Sequence, residues 1–140
     1  MEILFFTEKV DFNVENSALL REWISKVVED PYFEVGEVSF VFTTDEYLLK
    51  INREFLNHDY LTDIITFDNR QGKELNGDIY ISLDRVKENA EDNNKSLFDE
   101  LHRVIIHGIL HLCGHKDNTL ESKTKMRNAE DKYLSLLADL

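Results

Sequence analysis

Residues 63–83 read DIITFDNRQGKELNGDIYISL. Two runs rich in β-branched residues, Asp63–Asp68 and Asp78–Leu83, flank residues 69–77, which carry turn residues and two glycines. Two strands joined by such a segment predict a hairpin. Upstream, residues 45–55 place Leu48, Leu49 and Ile51 at helical spacing, and residues 37–43 alternate with Val38, Phe40 and Phe42 on one face of a strand. Residues 14–30 repeat apolar side chains every three or four positions, from Leu19 to Val28, and Pro31 stops that helix. Residues 2–7 read as a first strand. Downstream, residues 83–91 form one helical piece. Ser96 caps a helix over residues 97–113, with Asp99 as a capping-box variant and Gly114 as its stop. A last helix over residues 120–137 turns Met126, Ala129, Tyr133 and Leu136 or Leu137 inward. The order β-α-β-α-β-β followed by helices predicts an α+β fold: a mixed sheet of about four strands with helices packed mainly on one face.

The chain has 140 residues, 42% of them hydrophobic, with nine Phe and five Tyr. That is enough apolar material for one core, so a single domain over residues 1–140 is expected. No apolar run reaches the roughly 18 residues of a membrane span. The opening MEILFF has no basic region or cleavage site, and Cys113 is the only cysteine. Together these point to the cytoplasm. The net charge of −12 argues against broad electrostatic attraction to DNA, RNA or anionic membrane, although a local cationic site can sit on an acidic body.

The chemistry concentrates in His107–Asp117, HGILHLCGHKD. His107 and His111 are one helical turn apart and can share one metal without bending the helix. Leu101, Val104, Ile105, Gly108 and Leu112 form the core stripe of that helix. Gly114 can turn the chain back, and Asp117 can then supply a carboxylate ligand. His115 is an alternative third ligand, a supporting group or a solvated loop residue. Three protein ligands leave a position open, the pattern of catalytic rather than structural zinc. A bare pair of histidines at this spacing is often only surface or packing, so the glycine and Asp117 carry the argument. Zinc proteases place a glutamate base directly after the first histidine. Gly108 stands there instead, so a base must come from elsewhere. Asp63, Asp78, Glu100 and His115 are candidates, and none is assigned. Asp63 and Asp78 can equally cap strands or turns, and Glu100 reads as lying on an exposed helix face.

Three blocks, INREFLNHDYLTDIITFD (residues 51–68), NGDIYIS (residues 76–82) and HGILHLCGHKD, resemble the YbeY family of bacterial endoribonucleases. The resemblance implies a zinc-dependent, single-strand-specific endoribonuclease that processes ribosomal RNA, notably in late maturation of the small-subunit 3′ end. The ribosome and its RNA are then the partners. The family's zinc histidines fall on His107, His111 and Asp117, so aspartate replaces the third histidine. The added negative charge makes a bound water less acidic and favours a slightly harder metal. The family's arginine ahead of the Thr-Asp strand falls on Leu56, and Arg53 lies one turn earlier. An RNA reading expects a cationic wall near the metal, with Lys50, Arg53, Lys73, Arg85, Arg103 and Lys116 as candidates. Two other readings compete: a metal-dependent hydrolase of another substrate such as a peptide, and a non-catalytic ribosome-associated assembly factor with a structural metal.

Overall fold

The computed structural model describes residues 1–140. Strand β2 (Glu34–Thr43) runs through the middle of the sheet and is buried along its last six residues. It pairs in parallel with β1 (Glu2–Thr7) on one side and with β4 (Glu74–Ser82) on the other. Strand β3 (Ile64–Asp68) closes the far edge antiparallel to β4, giving the order β1-β2-β4-β3. The expected hairpin is present, with register running from Ile64 opposite Ile81 to Asp68 opposite Gly77. Strand β4 starts four residues before the expected position because the glycine-rich segment is mostly ladder. Only Gly72 and Lys73 form the turn, closed by Gln71 and Glu74, whose backbone groups exchange two 2.9 Å hydrogen bonds. Gly72 supplies the positive φ of 60° that such a turn needs.

Side chains alternate across the sheet and define two unequal cores. On one face, Val38, Phe40 and Phe42 of β2 and Ile79 and Ile81 of β4 pack with Trp23, Ile24 and Val27 of α1 (Ser17–Glu29). Leu101, Ile105, Ile109 and Leu112 of α4 (Leu97–Leu112) complete that core. The opposite face carries only α2 (Asp45–Leu56), whose Leu48 and Ile51 meet Ile65 and the partly buried Phe67 and Tyr80. Four of the five helices serve the first face, as expected. Helices α3 (Leu83–Asp92) and α5 (Leu120–Ala138) pack against α4. One expectation is corrected here: Glu100 is buried rather than exposed, because α4 is covered on more than its core stripe.

Gly108 fixes how closely α4 approaches the hairpin. A Cβ there would lie 2.9 Å from Ile64 Cδ1 and 3.0 Å from Ile79 Cγ2. The residue that replaces the protease glutamate is therefore the one that seats the helix on β3 and β4.

Candidate metal centre

Helix α4 ends in a backbone motif that returns the chain towards its own last turn. Gly114 takes φ 98°, its N–H donates to the carbonyl of His111, and the N–H of His115 donates to the carbonyl of Leu110, both at 3.0 Å. These are the two bonds of a Schellman cap, for which glycine at the left-handed position is the favoured residue. Thr119 and Ser122 form a reciprocal capping box that starts α5. The short segment between the two helices brings Asp117 back over the end of α4.

His107 Nε2 and His111 Nε2 are 2.9 Å apart. Asp117 Oδ2 lies 3.3 Å from the first and 3.4 Å from the second. Ligand atoms around a tetrahedral zinc with ~2.0–2.1 Å bonds are separated by about 3.3 Å, so the triangle matches that size. The other ring nitrogens are both committed. His107 Nδ1 donates to Glu130 Oε2 at 2.6 Å, and His111 Nδ1 donates to the His115 carbonyl at 3.0 Å. In the neutral rings both protons therefore sit on Nδ1. Two Nε2 lone pairs then face each other beside a carboxylate oxygen, an arrangement that a cation relieves. Two imidazoles and one carboxylate, each ring oriented by an outer partner, fit a zinc-type ion with an open side.

Glu130 is a residue of this candidate site that the sequence pattern does not single out. It is 4% exposed, and its second oxygen accepts from Arg103 Nη1 at 2.8 Å. Arg103 also donates to Asp131 at 2.7 Å. Glu130 falls four residues after Met126, on the inward face of α5. A lone carboxylate at apolar spacing, in a chain with histidines needing partners, was the available signal. Burial opposes charge on His107, but the hydrogen bond and charge of Glu130, with the charges of Asp117 and Asp63, outweigh it and raise its pKa.

The other candidates separate clearly. Asp63 and Glu100 line the same groove of about 410 Å³ as His107 and Asp117. Burial pushes both carboxyls up, most strongly opposed at Asp63 by charge on His107 and at Glu100 by Arg103. Asp78 is exposed and lines grooves with Tyr47 and Tyr80, on the α2 side of the sheet. His115 contributes its carbonyl rather than its ring, which lies outside the cluster of metal-capable atoms. Burial lifts the Cys113 thiol to about 12, so it stays protonated at neutral pH.

The expected cationic wall is largely spent elsewhere. Arg53 pairs with Asp59, Arg85 with Asp45 and Glu88, and Arg103 with Glu130 and Asp131. Lys50 lines a groove beside α2, Lys73 occupies the hairpin turn, and Lys116 is exposed in the segment before Asp117. Lys123 and Arg127, not singled out from the sequence, line the His107–Asp117 groove from α5. Neither is among the ion-paired side chains.

Comparison with known proteins follows the same lines. The sequence model of the family described as Endoribonuclease YbeY matches residues 3–138. The chain belongs to the YbeY endoribonuclease family. A member from Christiangramia forsetii is 50% identical over 135 residues, covering 96% of this chain and 94% of its relative. The Cytophaga hutchinsonii member is 47% identical over the same coverage. Among solved structures, the solution structure of TM1509 from Thermotoga maritima superposes with a TM-score of 0.68 at 28% identity, covering 97% of this chain and 89% of that one. No helix is long and apolar enough to cross a membrane.

Proposed function

We propose that this chain is a zinc-dependent endoribonuclease that hydrolyses single-stranded ribosomal RNA in the cytoplasm, acting with the small subunit in maturation of its 3′ RNA end. The observation that carries the reading is the triangle of His107 Nε2, His111 Nε2 and Asp117 Oδ2, with both Nδ1 atoms engaged elsewhere. Those three residues would hold the ion, which when bound supplies Lewis-acid polarisation of a phosphoryl oxygen and acidifies a water. The chain does the rest. Glu130 and the His115 carbonyl fix both rings in the tautomer that presents Nε2. Lys123 and Arg127 supply local positive charge for the RNA backbone on an otherwise acidic molecule. Asp63 and Glu100, with carboxyls pushed up by burial, are the proton acceptors nearest in kind to what a neutral-pH reaction needs.

The peptide-hydrolase reading loses support at Gly108, which holds the position of the protease base and is filled by neighbouring side chains. The structural-metal reading expects four protein ligands, and three converge here. The test compares cleavage of a single-stranded RNA by the wild-type chain and by His111→Ala, at matched folded fraction. Cleavage by the wild type alone is the expected result. Equal cleavage by both overturns the reading.

A further inference from the structure

The metal-site residues sit between two grooves of different chemistry, and Asp117 lines both. One carries Lys123 and Arg127. The other, about 480 Å³, is lined by His58, Tyr60, Leu56, Thr66, His111 and Asp117 among others, with no lysine or arginine and a second carboxylate at Asp68. A phosphate entering that second groove meets repulsion, whereas an uncharged aromatic ring does not.

We propose that the stacked rings of His58 and Tyr60 form a subsite for one unpaired nucleobase of RNA, beside His111 and Asp117. The inference rests on the RNA-hydrolase reading above and assigns the part of the substrate that the second groove takes. The two rings lie 5.1 Å apart between centroids at 22°, and Tyr60 Oη is 3.0 Å from His58 Nδ1. Both residues are exposed, Tyr60 by 56%. Exposed aromatic side chains in a surface loop are normally free to move, but this loop is built. Asn57 takes φ 55° at the end of α2. The His58 N–H donates to the Asn52 carbonyl at 3.0 Å, and Asn52 Nδ2 donates to the Tyr60 carbonyl at 3.0 Å. Asn52 is itself 1% exposed, and Arg53 ties to Asp59 at 2.5 Å within the same loop. Rings held in place before binding lose little freedom when a ligand arrives. Stacking on such rings tolerates any base and needs a single-stranded segment, because paired bases already stack on one another. The two grooves then divide the substrate: the backbone faces Lys123 and Arg127, and the base faces Tyr60.

The test uses the metal-loaded full chain and a short 2′-O-methyl single-stranded oligonucleotide, with binding read before any cleavage accumulates and the strand shown intact on a gel afterwards. A single abasic residue is moved along the oligonucleotide, and binding is measured to the wild type, Tyr60→Leu and Tyr60→Trp. At one position the abasic residue weakens wild-type binding about tenfold. Tyr60→Leu weakens the intact oligonucleotide by a similar factor, and combining the two adds no further loss. Tyr60→Trp restores binding to within about twofold, which separates stacking from loop integrity. Independent, multiplying losses, an unaffected Tyr60→Leu, or no wild-type binding overturns the subsite. Loss in Tyr60→Leu that no abasic position reproduces does so too, and points to a protein partner at these rings. Parallel incubation with unmodified RNA reads the underlying function separately: coupling without cleavage supports the subsite and sinks the hydrolase reading.

Discussion

His107 and His111 project the same ring atom towards the same point from successive turns of α4, yet they are held by opposite means. His107 leans on a buried carboxylate from another helix, Glu130, which is itself clamped by Arg103. His111 leans on a neutral carbonyl, that of His115, delivered by the turn that ends its own helix. The first anchor is tertiary and charged, and it makes α5 part of the site. The second is local, and it exists because Gly114 accepts a positive φ. The proposed metal site is therefore half encoded in one short motif and half in a contact 23 residues away.

Removing the charged anchor should have the largest effect. Glu130→Ala leaves Arg103 and His107 without their shared partner and is expected to weaken metal binding roughly 10–100-fold, read by chelator competition. Glu130→Gln, which keeps the reach but loses the charge, should fall between. Equal affinity in all three chains would erase the distinction between the two anchors. Next comes the floor beneath both rings. Gly108→Ala forces a methyl against Ile64 and Ile79 and should cost about 1–3 kcal/mol in denaturant unfolding, with both histidines displaced together. The local anchor should give less. At Gly114 a Cβ has room, with Arg70 Nη1 at 3.7 Å the nearest atom, so Gly114→Ala carries only the backbone penalty, about 1 kcal/mol. Its melting temperature should drop by several degrees, with a few-fold loss of metal affinity.

The smallest effect is a pH dependence of the metal-free chain. The folded pKa of His107 is raised, so its protonated form stabilises the fold. That contribution is fully present below the ordinary value of 6.5 and disappears as pH rises through the higher folded value. Burial lowers the pKa values of His102 and His115 and works in the opposite direction, so the whole-chain curve mixes these effects. The difference in melting temperature between wild type and Glu130→Gln isolates the His107 pair. It should shrink as pH climbs above 6.5. A difference that grows with pH would contradict the charged anchor.

The same contrast explains what could be read from the sequence. Strands and helices with a clean apolar period fell within a few residues of their observed ends, because one buried face dictates the pattern. The histidine pair, Gly114 and the nearby Asp117 were visible because helix spacing and cap chemistry are local rules. Glu130, Lys123 and Arg127 were not, because they belong to the site only through the packing of α5 on α4. Glu100 was misplaced for a related reason: one helix period shows its core stripe but not what covers its flanks. The early start of β4 was hidden by turn-type composition that the ladder overrides.

Whether His107, His111 and Asp117 together hold one metal is read by elemental analysis of the purified chain beside its Asp117→Ala variant. About one zinc-type ion per wild-type chain is expected, with most of it lost in the variant. A metal-replete wild type that holds none, or a variant that keeps its full complement, would contradict it.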